Sequence, residues 1–226
     1  MSIIYNLFGD LLYYIYSIVG NYGISIIVFS IIAKLILLPI NIKQTKSMQQ
    51  MNKVQPELQK LQKKHAGNKE KLNEETMKLY QEHHVNPMGG CLPLLIQFPI
   101  IIGLFRVLQQ PAQYVFKTDE AYAAVEQAFL WLPSLGEADP MHILPILAAA
   151  TTFLYMSNMP TQASGGSEQA KQMGKSMKIM SPLMIGFFAW TFPSGVALYW
   201  VIQNIFTYVQ QFFMMRSTTR EGADGK

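Results

Sequence analysis

The sequence contains a single cysteine, Cys91, among its 226 residues. That count excludes a disulfide within the chain and a metal site built from several cysteines. Charged residues are also scarce, at 14% of the chain against 50% hydrophobic residues, whereas soluble domains carry about 25% charged residues. The apolar residues gather in long runs and the charges lie between them. This distribution predicts an all-α, polytopic membrane protein.

Five of these apolar runs contain no aspartate or glutamate. A helix of about 20 apolar residues covers the ~30 Å hydrocarbon core of a bilayer. The run from 179 to 213 is divided at Phe192-Pro193-Ser194-Gly195, because one helix over its whole length would exceed ~50 Å. The five predicted transmembrane helices are 22–41, 87–108, 141–159, 179–192 and 195–213.

The first of these helices contains one charged residue, Lys34. An ionisable group at membrane depth costs at least ~2.5–3.5 kcal/mol, so it is expected to face something other than lipid. One alternative is that Lys34 snorkels, because the end of the run is only about two helical turns away. With no acid in the spans to neutralise it, Lys34 is better suited to attract an anionic group that arrives transiently than to serve a proton relay.

Polar residues recur in the other spans at helical spacing and predict a hydrophilic groove around Lys34. The candidate groove residues are Ser30, Lys34, Gln97, Thr152, Tyr155, Trp200, Gln203 and Asn204. The same stripes are also compatible with ordinary hydrogen bonding between membrane helices, so both interpretations stay open on this pattern.

Residues 2–20 are amphipathic. Asn6, Asp10, Tyr13 and Ser17 share one face, and aliphatic residues share the other. That pattern favours a helix lying in the outer membrane interface over a helix that crosses the bilayer.

The stretch 42–86 carries nine lysines and five glutamates among helix-forming residues. Gly67-Asn68 interrupts it, and Pro56 suits the first turn of a new helix. We therefore expect a helical hairpin. Its candidate contact residues are Lys60, Lys63, Lys64, Lys69 and Lys71.

Basic residues also set the predicted topology, since short loops rich in lysine and arginine stay in the cytoplasm. The hairpin, the loop 160–178 and the tail 214–226 are basic, whereas the loop 109–139 has only Lys117 as a base. The N-terminus is therefore predicted outside and the C-terminus in the cytoplasm.

Two motifs carry a resemblance to a known family. The segments VNPMGGCLPLLIQFPI and FPSGVALYW, at 85–100 and 192–200, resemble the bacterial YidC membrane-protein insertases, relatives of the Oxa-type insertases. The resemblance covers about residues 20–213. It implies a five-span core, a cytoplasmic hairpin, and a groove open to cytoplasm and lipid but closed outside. It places Lys34 where the family usually has arginine, and it gives Trp200 and Tyr155 groove positions.

The function expected from this resemblance is insertion and folding of membrane proteins in the bacterial plasma membrane, without a cofactor, a metal or enzymatic chemistry. The implied partners are nascent membrane-protein substrates and the lipid bilayer, with the ribosome, the signal recognition particle and the Sec translocon as further candidates and no direct reading of nucleic acid. A small-solute transporter or channel is the alternative function, although no internal repeat is visible. An intramembrane protease would need catalytic pairs at membrane depth that the spans lack.

Overall fold

The computed structural model describes residues 2–85, 92–158 and 168–223. Within those ranges the regular structure is helical, apart from one isolated bridge between Phe129 and Leu132, so the expected all-α class is confirmed there. The helices are α1 Ser2–Val19, α2 Tyr22–Lys64, α3 Lys69–Glu82, α4 Leu92–Gln109, α5 Pro111–Tyr114, α6 Asp119–Ala123, α7 Ile143–Asn158, α8 Glu168–Thr191 and α9 Ser194–Ala223.

Helix α2 runs for 43 residues without a break between the predicted first span and the predicted hairpin. It begins at the cap residue Asn21, whose side chain accepts a hydrogen bond of 3.0 Å from the Ile24 amide. Pro39 and Pro56 both lie inside it, so the prediction that Pro56 starts a new helix is wrong. Each proline removes one backbone hydrogen bond, and the helix formers on either side carry the helix through.

Helix α3 folds back on the end of α2 and forms a hairpin with it. The turn ends at Asn68, whose side chain accepts a hydrogen bond of 3.0 Å from the Lys71 amide. The hairpin has a small apolar core, formed by buried Val54, Leu58, Leu79 and Val85. His83, at the end of α3, also contacts Glu57 of α2 at 3.2 Å. That pair is exposed and contributes little, so burial of this core is the main attraction between the two helices.

Helices α8 and α9 extend beyond the predicted spans. Helix α8 begins at Glu168 and includes the part of the predicted loop 160–178 from there on, while α9 continues past 213 to Ala223. The reason is that hydropathy reports where a helix meets the membrane edge, whereas helix formers such as Gln169 and Ala170 continue the hydrogen-bond ladder outside it. Residues 160–167 of the predicted loop and residue 159 at the end of the third predicted span lie outside the described residues, as do residues 87–91 of the second predicted span and residue 86 before it.

The main core lies between α1, α2, α4, α7, α8 and α9, and residues 115–135 of the loop region cover one end of it. Helices α2 and α9 run in the same direction, because a Cβ on Gly195 would lie 3.1 Å from Ile26 and, further along, Gln203 reaches Ser30. Helix α8 packs mainly on α7. We call the end of the bundle that carries residues 110–142 the loop end, and the opposite end the hairpin end.

The loop end is held together by backbone and carboxylate hydrogen bonds. The Ser194 amide and hydroxyl both donate to the Glu137 carbonyl at 2.6 Å, and the Gly195 amide donates to the Leu135 carbonyl at 2.9 Å. The buried Asp139 carboxylate accepts hydrogen bonds from the Met141 amide, the Leu144 amide and the Trp131 indole, at 2.9, 2.7 and 3.2 Å. Burial alone would raise the pKa of Asp139, but these donors outweigh it and hold the pKa below its ordinary value.

Helix α1 lies against this loop end. Gly9 packs directly on the Tyr114 backbone carbonyl, where a side chain has no room. At the neighbouring residue of α1, Asp10, the carboxylate contacts the Lys117 ammonium at 2.6 Å. By length and hydropathy, α1 and an 18-residue stretch of α2 are candidate membrane spans, and shorter apolar stretches occur at Gln97–Gln109 and Ile143–Ser157.

Candidate functional site

Lys34 is buried in the bundle, with 8% of its surface exposed. It lies one helical turn after Ser30, on the same face of α2. In the described part of the chain, no carboxylate or hydrogen-bond acceptor pairs with its ammonium group. An unpaired buried cation is costly, so the position favours any anionic group that can reach it.

Helix α9 joins three other helices through side-chain hydrogen bonds. The Gln203 amide donates to the Ser30 carbonyl of α2 at 3.2 Å. The Asn204 amide donates to the Thr152 hydroxyl of α7 at 2.8 Å. The Tyr199 hydroxyl accepts a bond of 2.9 Å from the Gln97 amide of α4. These bonds fix which face of each helix turns toward α9.

Several predicted groove residues therefore join helices. Gln97, Thr152, Gln203 and Asn204 are all engaged in bonds between helices. The hydroxyl protons of Ser30 and Thr152 are also used, since each donates to the carbonyl four residues earlier at 2.6 Å. Hydrogen bonding between helices, one of the two interpretations of the sequence, describes these contacts. A groove lined by the same residues stays a prediction.

Tyr155 and Trp200 are half-buried. Trp200 packs against the main core, next to Tyr199 in the chain. Tyr155 lies on α7 about one turn from Thr152, toward the hairpin end. The structure thus gathers the predicted groove residues along the packed surfaces of α2, α4, α7 and α9.

Tyr199 belongs to this site although the sequence analysis did not select it. Only 2% of it is exposed, and its hydroxyl is the partner of Gln97. Its spacing of four residues from Gln203 could have identified it, because that spacing places both residues on one side of α9. As an aromatic residue in an apolar run, it does not stand out as a polar contact in the sequence.

The lysines selected in the hairpin are all exposed: Lys60, Lys63, Lys64, Lys69 and Lys71. In the described residues none of them forms an ion pair, whereas Lys78 contacts Glu74 at 2.7 Å. That contact lowers the pKa of Glu74 and raises the pKa of Lys78. A cleft of about 350 Å³ between the hairpin helices is lined by Glu57, Lys60, Leu61, Lys64, Glu75, Lys78, Leu79 and Glu82. The hairpin therefore presents unpaired positive charge to its surroundings.

Comparison with known proteins identifies the family. A family model described as "60Kd inner membrane protein" matches residues 14–221. The chain belongs to this family. The "Membrane protein insertase YidC" of Fusobacterium nucleatum is 41% identical over 220 residues, covering 96% of this chain and 98% of that relative. The protein of the same name from Caldanaerobacter subterraneus is 42% identical and covers 93% of both chains.

Two further matches agree with this. The "Membrane protein insertase MisCA" of Bacillus subtilis is 40% identical over 91% of this chain and 75% of its own length. A solved structure titled "Active YidC insertase crystal structure with the first transmembrane domain resolved" matches with a TM-score of 0.64 and 27% identity over 94% of this chain. The chain spans just under half of that solved chain, 46%. The resemblance to YidC insertases is confirmed, as is membership of a family of inner membrane proteins.

Proposed function

We propose that this protein is a membrane protein insertase that captures the polar tail of a substrate at Lys34 and releases the substrate's apolar segment into lipid. The observation that carries the proposal is the buried, unpaired Lys34 on the face of α2 that turns toward α9. Family membership supports it, because the curated relatives above are named membrane protein insertases. Insertion of this kind needs no catalytic residue and no cofactor, and the protein acts as a chaperone rather than an enzyme.

The proposed arrangement has five spans, namely the first half of α2, α4, α7, the second half of α8 and most of α9. The loop end lies outside and the hairpin end in the cytoplasm, following the distribution of basic residues. Helix α1 lies in the outer interface, because Gly9 and Asp10 at its middle contact Tyr114 and Lys117 at the loop end. A helix crossing the bilayer would bring only one of its ends to that surface.

Capture would begin at the hairpin end. The exposed lysines of the hairpin suit an acidic partner, which can be the substrate's tail, the ribosome, the signal recognition particle or the Sec translocon. An acidic tail that then enters between α2 and α9 is attracted to Lys34, and this attraction is strong where water is scarce. The hydrogen bonds of Ser194 and Gly195 to the 135–137 segment support the proposal that the opposite end is closed.

Release into lipid supplies the driving force. Exposed apolar residues on α7 and α9, including Phe153, Leu154, Ile205 and Val209, offer a path toward the bilayer. Burial of the substrate's apolar segment contributes ~25 cal/mol per Å². A membrane potential that is positive outside contributes a further ~2.3 kcal/mol per negative charge per 100 mV as the acidic tail crosses.

Reconstitution tests this proposal. The purified chain in liposomes is expected to insert a single-span substrate with a short acidic tail, measured as protection of the tail from added protease. Protein-free liposomes give the background. Insertion at the background level would contradict the proposal. Uptake of a small solute by the same liposomes, without insertion, would indicate a transporter.

A further inference from the structure

Buried side-chain amides without a hydrogen-bond partner occur on the two helices that flank Lys34. In the described structure, the unpaired amide atoms on α2 are Nδ2 of Asn41, Nε2 of Gln44 and, within the hairpin, Oε1 of Gln62, and those on α9 are Oε1 of Gln210 and of Gln211. Gln44 and Gln211 are themselves only 7% and 9% exposed. Leaving such a group unpaired normally costs ~1–3 kcal/mol. Several together are typical of a place where water or another molecule supplies the missing partners.

The helical spacing places three of these residues opposite one another. Asn41 follows Lys34 by seven residues and Gln44 follows Asn41 by three, which keeps both on the Ser30 face of α2. Gln210 follows Gln203 by seven residues and shares its face of α9. The bond between Gln203 and Ser30 turns these two faces toward each other. We call Asn41, Gln44 and Gln210 the amide station. It lies between Lys34 and the hairpin end.

The chemistry of the amide station differs from that of Lys34. A primary amide donates through its N–H and accepts through its carbonyl, and it carries no charge. The nearby lysines of α2, Lys43 and Lys46, are exposed and point away from the Asn41 face. The station therefore offers neutral donors on one helix and a neutral acceptor on the other. A peptide group, with one C=O and one N–H, is complementary to that set.

We infer that the amide station binds main-chain amides of the substrate's tail before the tail reaches Lys34. This inference rests on the proposed insertase function and adds a second binding step that does not depend on the tail's sequence or charge. Main-chain binding replaces hydrogen bonds that the peptide loses with its water shell. Lys34 then selects for acidic tails, and the station accepts any extended tail.

The test uses the purified full chain in liposomes and a single-span substrate with a short uncharged Gly/Ser tail. The triple variant Asn41→Leu, Gln44→Leu, Gln210→Leu is expected to transfer this tail about tenfold more slowly than the wild type, as loss of buried hydrogen bonds to the tail predicts. The matched control is Gln110→Leu, which removes another buried unpaired amide oxygen, at the loop end. It is expected to keep the wild-type rate. The triple variant should also keep or raise the thermal midpoint, because the one side-chain hydrogen bond it removes among the described residues is the weak bond of 3.9 Å from Gln210 Nε2 to Met214 Sδ.

A second substrate isolates the main-chain contact. In it, alternate glycines of the tail are replaced by N-methylglycine, which has no N–H to donate. The wild type is expected to transfer this tail more slowly than the Gly/Ser tail, and the triple variant to show a smaller difference between the two tails.

Four results would overturn the inference. Equal transfer of the Gly/Ser tail by wild type and triple variant would mean that water alone satisfies these amides. A lowered thermal midpoint would mean that they are structural. Equal wild-type transfer of both tails would exclude main-chain recognition. A wild type that inserts neither the uncharged nor the acidic substrate would overturn the insertase function itself, and this inference with it.

Discussion

Gln203 of α9 donates a hydrogen bond of 3.2 Å to the backbone carbonyl of Ser30 on α2. Ser30 already donates its hydroxyl to Ile26, so its carbonyl is the group that meets the neighbouring helix. The bond sets the rotation of α2 about its axis, and with it the direction of Lys34 one turn further along. The Gln203 amide thus helps to place Lys34 on the face of α2 that packs against α9.

Reversing the charge at Lys34 is expected to abolish insertion of a substrate with an acidic tail, because Lys34→Glu would repel the tail that the lysine attracts. Lys34→Arg keeps the charge and should retain most of the activity. Protease protection of the tail in liposomes measures both. The matched control is Lys43→Glu, an exposed lysine of the same helix. Normal insertion by Lys34→Glu, or an equal loss in Lys43→Glu, would contradict a specific role of Lys34.

The bond between Asn204 and Thr152 is expected to stabilise the packing of α7 on α9. A double-mutant cycle with Asn204→Leu and Thr152→Val should give a coupling free energy of about 0.6 kcal/mol, typical of hydrogen bonds between membrane helices. Reversible unfolding in mild detergent measures it. The parallel cycle with Thr151→Val, whose hydroxyl lies further from Asn204 at 3.2 Å, should give a smaller coupling. Strict additivity in the Thr152 cycle would show that this bond contributes nothing.

The Asp139 carboxylate should make stability depend on pH in the acidic range. Its pKa in the folded protein lies below the ordinary value of 3.8, so its stabilising contribution is complete above that value and is lost as the pH falls through the folded pKa. Asp139→Asn should cost about 1.5–3 kcal/mol of the free energy of unfolding near neutral pH, because bonds to a buried charged acceptor are lost. The exposed Asp119→Asn serves as the control. An unchanged acid limb of the stability profile in Asp139→Asn would exclude this role.

Gly9→Ala is expected to displace α1 from the loop end, since its Cβ would overlap the Tyr114 carbonyl. Overpacking against backbone typically costs ~1–3 kcal/mol. The thermal midpoint should fall, and proteolysis within α1 should become faster. Gly67→Ala, where the added Cβ meets nothing within 4 Å, is the matched control. Equal midpoints for the two variants would mean that α1 tolerates the displacement.

The sequence predicted the helices and the family correctly where a local pattern, such as the spacing of polar residues or a motif, is sufficient for the prediction. The spacing of Gln203 and Asn204 placed them among the packed helices, and the resemblance carried by residues 85–100 and 192–200 led to the correct family. Asp139 does not stand out among the acidic residues of the loop 109–139, because its role as a hydrogen-bond acceptor depends on the Leu144 amide and the Trp131 indole reaching it in three dimensions.

Helix ends were predicted less well than helix existence. The passage of α2 through Pro56 and the start of α8 at Glu168 do not follow from hydropathy, because an apolar run and a hydrogen-bonded helix end for different reasons. The role of Tyr199 in the site likewise does not follow from the local sequence. Whether a buried aromatic hydroxyl is bonded depends on the helix that faces it, which here is the helix of Gln97.

The unbroken length of α2 has a mechanical consequence. With 43 residues it is a rod of ~65 Å at 1.5 Å per residue, and it connects the hairpin to Lys34 without a loop between them. Pro39 lies between Lys34 and the hairpin and removes one backbone hydrogen bond from α2. We therefore expect this part of α2 to bend most easily at Pro39. A partner that pulls the hairpin sideways therefore pivots it about Pro39, while the half that carries Lys34 stays seated against α9.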